Sequence, residues 1–378
     1  MITGSKELIR DINTSLVTNL IIEKGPISRA AIAKELGLTK ATISAIVQNL
    51  LERKLVEEIG TANVTSGRKP VLLTFCYDCA YAVSVDVSSS HISVLSAHLG
   101  GGDCSLKQYP SSNKKKDIIP LLIQYIEKQI AAVAQSHYGI VGITIGIHGI
   151  TNHNKVVFTP YSPYTDIDFA TELADYFHVP VLVENEANLS VLGEYTFHYP
   201  IKNMVGISVH SGIGLGIMID GSLYHGLNGY AGEFGHSIIE VDGLLCPCGN
   251  HGCFEQYASE RALLSKLAAE KGLSMITADD FVKLYTNKEE YSVEIIKLFV
   301  KYMSIGIRNI INTLNPELIV INSSFTMNFP HIIEEIQSCL TSNIHKSCPI
   351  VPSKLQDMSI LLGGICMSRN AFLADMYR

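Results

Sequence analysis

Apolar residues recur at every fourth position near the start of the chain, which is the spacing of one face of a helix. This pattern predicts a helix with one apolar face made of Leu8, Ile12, Leu16 and Leu20. A Gly-Pro pair at 25–26 ends the helix. Two further short helices are predicted, because Ser28 and Thr39 are placed as N-caps and Gly37 as the residue that ends the first of them.

Two short helices joined by a tight glycine turn indicate a helix-turn-helix, whose second helix enters the major groove of DNA. The stretch from Leu55 to Phe75 alternates and turns like a β-hairpin wing with a basic tip at 66–70. Polar and basic side chains on the third helix suit base edges and phosphates. The predicted DNA-binding residues are Thr39, Lys40, Thr42, Ser44, Gln48, Arg68 and Lys69. A protein-binding module is the alternative.

The pattern of apolar residues changes near residue 76. Apolar runs of strand length then alternate with longer helical patterns such as 118–133, which predicts an α/β body. The predicted strands are 80–86, 92–95, 140–146, 179–183, 204–209 and 318–321. No internal repeat is evident from the sequence.

Composition and charge restrict the class of protein. A chain of 378 residues with 47% hydrophobic residues is long enough for two or three domains with large cores. No run reaches about 18 apolar residues, so no membrane span is predicted. The start lacks a signal-peptide pattern, so we expect a cytoplasmic protein. Residues 1–70 hold 10 Lys and Arg against 7 Asp and Glu, a net charge of +3 in a chain whose net charge is −7. This local excess of positive charge favours binding of nucleic acid by the N-terminal segment.

The strongest chemical signal is a Cys3His set within 18 residues. One imidazole and three thiolates are typical of a closed, tetrahedral structural Zn2+ site, and we predict one zinc ion per chain. The expected ligands are His236, Cys246, Cys248 and Cys253. His251 competes with His236, and buried thiols without a metal are the alternative. Cys76 and Cys79 have the Cys-x-x-Cys spacing of half a metal site, but no second pair of ligands accompanies them. They therefore predict no metal site.

Carboxylates flank this metal segment. Glu233 precedes the ligands and Glu255 follows them, so a bound ion would bring both into one site. The sequence Glu-Asn-Glu-Ala-Asn at 184–188 follows a buried strand, and ligands gather at strand ends in such sheets. Carboxylates and amides suit a sugar, because they bridge neighbouring hydroxyls with charge-assisted hydrogen bonds.

Together these motifs resemble the ROK family of sugar kinases and sugar-responsive repressors. The matching motifs are Glu184-Asn-Glu-Ala-Asn188, Gly212-Ile-Gly214, Ala231-Gly-Glu-Phe-Gly-His236, Cys246-Pro-Cys-Gly249 and Gly252-Cys-Phe-Glu255. The resemblance spans residues 80–378, and the head places the chain nearest to the xylose-repressor type. It implies an actin-like, hexokinase-type fold of two α/β lobes, a sugar in the cleft, and a homodimer. The sugar contacts that it implies are Asn185, Glu186, Glu233, His236 and Glu255.

Three positions depart from the kinase pattern. Glu186 stands where the kinases carry an aspartate base, and a carboxylate moved by about 1 Å can cost about 100-fold in rate. Serines at 88–90 replace the glycines of the phosphate hairpin that follows Asp86, and Asn-Ser-Ser at 322–324 replaces a Gly-Gly pair. The added side chains hinder close approach of backbone to phosphate. We therefore predict a sugar sensor that is not an enzyme.

Several candidates have simpler structural roles. Asn185 is also placed to cap the helix that follows it. His148 comes after a buried strand, where a structural role is commoner than ligand binding. Tyr161, Tyr164 and Asp166 lie in a loop that could close over a ligand.

These patterns predict a homodimeric repressor of carbohydrate-utilisation genes that binds a pseudo-palindromic operator and a small sugar effector. The predicted units are a winged helix-turn-helix at 1–75, a first lobe at 76–189 plus 366–378, and a second lobe at 190–365 with the zinc and dimer surface. Xylose, glucose and an N-acetylated hexose stay open as effectors, and a tetramer as assembly. The alternatives are an ATP-dependent sugar kinase with an added DNA-binding head and a protein-binding adaptor.

Overall fold

The structure, a computed structural model, describes residues 6–61 and 70–377. The N-terminal unit is a winged helix with a three-stranded antiparallel sheet of order β1-β3-β2. Its elements are α1 (Lys6–Lys24), β1 (Ile27–Ser28), α2 (Arg29–Leu36), α3 (Lys40–Glu52), β2 (Val56–Thr61) and β3 (Val71–Phe75). Arg68 and Lys69, at the predicted tip of the wing, lie outside the described residues.

Helix ends in this unit follow the local signals in the sequence. The side chain of Ser28 accepts a hydrogen bond from the backbone N–H of Ala31, and that of Thr39 from Thr42. Gly37 has φ 65°, the left-handed conformation that ends α2. The predicted helix-turn-helix is therefore confirmed.

The predicted first helix is present, but its apolar face is buried only over the second half of α1. Leu8, Ile12 and Leu16 are 46%, 50% and 45% exposed. The residues of α1 that are buried are Val17, Thr18, Leu20 and Ile21. Only the second half of α1 packs on the winged-helix core, so the regular spacing of the first half does not correspond to burial.

The first lobe contains a five-stranded sheet of order β10-β7-β4-β5-β6 and a separate hairpin, β8-β9. Strands β4, β7 and β10 run parallel, while β5 and β6 complete an antiparallel meander with β4. Its elements are β4 (Tyr81–Val87), β5 (His91–His98), β6 (Ser105–Pro110), α4 (Ile118–Ile130), β7 (Ile140–Ile147), β8 (Ile150–Asn152), β9 (Lys155–Phe158), α5 (Phe169–Phe177), β10 (Val181–Asn185) and α6 (Glu186–Phe197).

The second lobe contains a five-stranded sheet of order β13-β12-β11-β14-β15. Its strands are β11 (Met204–Val209), β12 (Ile213–Ile219), β13 (Ser222–Leu223), β14 (Leu318–Asn322) and β15 (Ile350–Pro352). Its helices are α7 (Glu255–Ala258), α8 (Glu260–Glu270), α9 (Ala278–Thr286), α10 (Glu290–Leu314), α11 (Ser324–Asn328) and α12 (His331–Cys339), and the chain ends with α13 (Met358–Met376).

The two large sheets share one topology. In each, three antiparallel strands are followed by two strands that extend the sheet in parallel. This confirms the predicted α/β body of two actin-like lobes. It also shows a structural repeat that the sequence did not reveal, because the two halves share strand order rather than residues.

Helices α6 and α13 pack in backbone contact between the lobes. A Cβ at Gly363 would overlap the carbonyl oxygen of Leu189, and one at Gly193 would overlap that of Ser359. Helix α13 also packs on β7 and β4 of the first sheet. The predicted boundary at 365/366 falls within this helix, and the division of the chain between the lobes stays a prediction.

The winged helix docks on the end of α13. Arg53, at the C-terminal cap of α3, lies against Met376, with Nη2 to Sδ at 3.2 Å. The hydroxyl of Tyr138 donates to the carbonyl oxygen of Arg53 at 2.7 Å. One apolar cluster contains residues of both units, including Leu55 and Leu373. In the described part of the chain, no helix is long and apolar enough to cross a membrane.

Candidate functional site

A cleft between the lobes collects polar side chains from several strand ends. Its walls are the turns after β7, β10 and β11, a short 3-10 turn at Glu233–His236 and the start of α7. Strands β7 and β10 pair in parallel with Ile147 beside Asn185, so the residues that follow them meet at one edge. All the predicted sugar-binding residues line this cleft: Asn185, Glu186, Glu233, His236 and Glu255.

Glu186, the first residue of α6, lines the cleft while being only 7% exposed. Its Oε2 has no hydrogen-bond partner among the described residues. Burial raises the pKa of this carboxyl, against the opposing effect of the His148 and His210 imidazoles. Leaving such an atom unpaired costs about 1–3 kcal/mol. The arrangement therefore favours a ligand whose hydroxyl group donates to Glu186.

Asn185 has the structural role that was the alternative to sugar binding. Its Oδ1 accepts hydrogen bonds from the backbone N–H of Ala187 at 2.8 Å and of Asn188 at 3.2 Å, which caps α6. Its Nδ2 donates to the carbonyl oxygen of Gly149 at 2.8 Å. Because these groups are already engaged, contact between Asn185 and a sugar stays a prediction.

His148 links two carboxylates on the floor of the cleft. Its Nε2 is 2.9 Å from Oδ1 of Asp86, and its Nδ1 is 4.0 Å from Oε1 of Glu186. Although burial acts to lower it, the charge and hydrogen bond of Asp86 raise the pKa of His148 to about 9. Burial likewise opposes ionisation of Asp86, yet His148 holds the pKa of Asp86 below its usual value. At neutral pH the pair is therefore an ion pair.

An acidic wall lies across the cleft from His148, and it is formed by Glu233, His236 and Glu255. His236 lies between the two carboxylates, with Nε2 at 3.7 Å from Glu233 and Nδ1 at 3.9 Å from Glu255. Burial, and then the charges of Glu186 and Glu255, raise the pKa of Glu233 to about 7. Near neutral pH this carboxyl can both donate and accept hydrogen bonds, as a polyhydroxyl ligand requires.

The four predicted metal ligands meet beside this wall, with donor atoms that all lie within 4.8 Å of one another. Sγ of Cys248 is 3.6 Å from Sγ of Cys253, and Sγ of Cys246 is 3.5 Å from Nδ1 of His236. A tetrahedral zinc ion with bonds of about 2.3 Å separates two sulfurs by about 3.8 Å. The cluster therefore fits zinc, whereas the competing His251 is exposed and is not among the clustered donors.

The metal-binding loop folds tightly because of its glycines. Gly252 has φ 78°, and a Cβ there would overlap the carbonyl oxygen of Glu240. Leu245 and His251 form an isolated antiparallel bridge across the loop. A second bridge, between Ile238 and Cys253, brings Cys253 beside the segment that carries His236. Together the two bridges bring the ligands within reach of one ion.

The predicted DNA-binding residues that the structure describes lie on α3 and at its N-cap. Four of them are exposed, namely Thr39, Lys40, Ser44 and Gln48. Thr42 is half-buried, and its hydroxyl is 2.9 Å from that of Thr39. The wing-tip predictions, Arg68 and Lys69, fall outside the described residues.

Sequence reasoning missed other residues in and beside the cleft. His210 lines the cleft and Arg261 contacts Tyr161. Neither had a signal in the sequence, since each is a single polar residue beside an apolar pattern. Tyr161, known only as part of a loop, lines the cleft and contacts Glu255. Tyr164 of the same loop is instead buried, at 1% exposed.

Family models match both parts of the chain. The ROK family model matches residues 83–370, and the MarR family model matches residues 16–68. The boundary between them agrees with the end of the winged helix at β3. The resemblance found in the motifs is therefore confirmed.

Transcriptional regulators from several bacteria match the chain over nearly its whole length. The xylose repressor of Bacillus spizizenii is 34% identical over 369 residues, which is 95% of each chain. The xylose repressor of Bacillus subtilis is 34% identical over 370 residues, with the same coverage. The regulator NagC of Escherichia coli is 25% identical over 98% of this chain and 95% of its own.

Solved structures confirm the fold. A ROK family transcriptional regulator, a homologue of the E. coli MLC protein, superposes with a TM-score of 0.84 at 26% identity over 98% of each chain. A ROK family glucokinase from Streptomyces griseus, in complex with glucose and AMPPNP, has a TM-score of 0.70 at 21% identity. It covers 77% of this chain and 99% of its own, and it supports the fold alone.

Proposed function

The chain belongs to the ROK family, and we propose that it is a sugar-responsive transcriptional repressor with its effector in the cleft. The observation that carries this proposal is the match to xylose repressors over 95% of both chains, which includes the head and the body together. Xylose is accordingly the first effector to test. The target genes would be those for carbohydrate use.

The cleft supports a sugar ligand through its polar walls. Glu186 has a buried oxygen without a partner, and Glu233 can both donate and accept near neutral pH. Carboxylates on opposite walls can bridge the hydroxyls around a sugar ring. We assign the sugar contacts to Glu186, Glu233, His236 and Glu255. Asn185 would contribute if its hydrogen bond to the carbonyl oxygen of Gly149 were replaced by one to the sugar.

One structural zinc ion per chain is part of the proposal. His236, Cys246, Cys248 and Cys253 would hold it in a closed tetrahedral set, which leaves no open position for catalysis. His236 has Nδ1 toward the cysteines and Nε2 toward Glu233. The ion would thereby fix the imidazole that faces the sugar.

We further propose a cytoplasmic homodimer that binds operator DNA. Two winged helices on a two-fold axis would place one α3 in each half-site of a pseudo-palindrome. The second lobe exposes apolar side chains suited to a subunit contact, including Leu227 at 90% and Val241 at 86% exposed. A tetramer would need a second such surface.

The structure gives the kinase alternative little support. Glu260 accepts hydrogen bonds from the hydroxyl of Ser323 and the backbone N–H of Ser324, at the loop that replaces the kinase Gly-Gly pair. A carboxylate there would repel a polyphosphate. Beneath the cleft, Asp86 is already paired with the imidazole of His148. We propose that phosphoryl transfer has been lost.

A gel shift with DNA from upstream of the protein's own gene tests the function. We expect a shifted band that xylose, without ATP, dissolves. A band indifferent to xylose, glucose and N-acetylated hexoses would contradict the sugar-sensor proposal. Consumption of ATP in the presence of a sugar would establish the kinase instead. Binding that is insensitive to salt would favour a protein-binding head, because phosphate contacts weaken steeply with salt.

A further inference from the structure

We propose that Tyr161 and Arg261 form a clasp between the two lobes, which orients Glu255 toward the effector and holds the cleft closed. This inference rests on the proposed function of the cleft. Tyr161 lies between β9 and α5 of the first lobe, whereas Arg261 is on α8 of the second. Both are thus positioning residues, since they act on the effector through Glu255.

The contacts across the cleft form one connected network. The hydroxyl of Tyr161 donates to Oε1 of Glu255 at 2.6 Å and accepts from Nη2 of Arg261 at 3.0 Å. The guanidinium carbon of Arg261 lies 4.6 Å from the centre of the Tyr161 ring. A hydrogen bond and a cation–π contact therefore join the same two residues.

Arg261 is itself fixed to the second lobe. Its Nε donates to the carbonyl oxygen of Ser211 at 2.8 Å, in the turn between β11 and β12 that lines the cleft. One planar guanidinium thus holds a second-lobe turn and a first-lobe tyrosine together. A lysine could not replace it, because an ammonium lacks the fork geometry that makes both contacts.

The clasp decides which oxygen of Glu255 is available to a ligand. Oε1 accepts from Tyr161 and also from Nε2 of Gln256 at 3.0 Å. Oε2 lies beside Gly212, which lines the cleft. With Oε1 occupied, Oε2 is the oxygen that faces a sugar hydroxyl. A sugar held there would stabilise the lobes in this arrangement.

Tyr161→Phe removes the hydroxyl and keeps the ring, and Tyr164→Phe is its matched control. Tyr164 belongs to the same loop, but its hydroxyl contacts Ser111 and Ser112 rather than the second lobe. Arg261→Lys tests the other half of the clasp. The full zinc-loaded chain is titrated with xylose by calorimetry. Hydrogen exchange of residues 159–166 is followed with no ligand present.

For Tyr161→Phe we expect the Kd for xylose to rise about tenfold, as for the loss of a hydrogen bond to a charged group. We also expect faster exchange at 159–166, and Arg261→Lys should behave in the same direction. Tyr164→Phe should leave the Kd for xylose unchanged. Equal or tighter xylose binding by Tyr161→Phe would overturn the proposal. The hydroxyl of Tyr161 would then make no contribution to effector binding or would oppose it.

Failure of the proposed function is a separate result. If the unmodified chain binds no sugar, the sensor proposal fails before any variant is compared. The exchange experiment then decides the clasp alone, because it needs no ligand. Unchanged exchange at 159–166 in both Tyr161→Phe and Arg261→Lys would show that no clasp joins the lobes.

Discussion

The imidazole of His148 donates through Nε2 to Oδ1 of Asp86 over 2.9 Å, beneath the cleft between the lobes. The groups that face this pair are Glu186, which adds negative charge, and His91 and His210, which act on Asp86. The pair therefore forms a buried charged unit at the ends of β4 and β7. Its protonation makes stability depend on pH.

The pKa of His148 is raised from its usual 6.5 to about 9 in the folded chain. The stabilisation is then complete below about pH 6.5 and is lost as pH rises through about 9, because the folded state binds the proton more tightly. We expect a loss of about 3 kcal/mol over this range. Urea unfolding at several pH values measures it. His148→Asn should flatten the profile, and His137→Asn, an exposed control, should not.

Zinc is expected at one ion per chain by elemental analysis. Cys253→Ser should lose the ion, lower the thermal midpoint and weaken sugar binding, because the loop between His236 and Glu255 would no longer be held. Cys104→Ser alters an exposed thiol outside the cluster and should retain the metal. Full zinc content in Cys253→Ser would refute the assigned ligand set.

Glu186→Gln tests the carboxylate with the unpartnered oxygen. The amide keeps the size of the side chain but removes its charge, so the Kd for the effector should rise about tenfold. Calorimetry without DNA is the measurement. Glu172→Gln, on an exposed face of α5, is the control. An unchanged Kd would remove Glu186 from the sugar site.

Gly363→Ala should destabilise the chain, because the added methyl group meets the backbone of Leu189 in a packed helix pair. We expect a loss of about 1–3 kcal/mol, typical of overpacking. Chemical denaturation gives the value. Ala374→Ser, at an exposed position of the same helix, should change it by no more than about 0.5 kcal/mol. Similar losses in both variants would contradict the close helix contact.

Lys40→Ala tests the DNA face of α3. A phosphate contact predicts weaker operator binding and a drop of about one in the slope of log affinity against log salt. Binding is measured across a salt series. Lys266→Ala removes the same charge from an exposed site of the second lobe and should leave the slope unchanged. If the two variants behave alike, only net charge matters at position 40.

The sequence by itself determined the local features. The caps at Ser28 and Thr39 and the glycine at 37 marked the helix-turn-helix, because hydrogen bonds at helix ends are made by neighbouring residues. The cysteines and histidine of the metal cluster were also recognisable, since all four lie within 18 residues. Strand periodicity and the family motifs identified the α/β body.

Only the tertiary structure decided what depends on distant residues. The apolar spacing on α1 identified a helix face, yet burial of Ile12 and Leu16 depends on what packs there, and this core reaches only the second half of the helix. The contact of Tyr161 with Glu255 joins residues 94 positions apart, in different lobes. Periodicity records which side chains avoid water, and it carries no information on which distant groups meet.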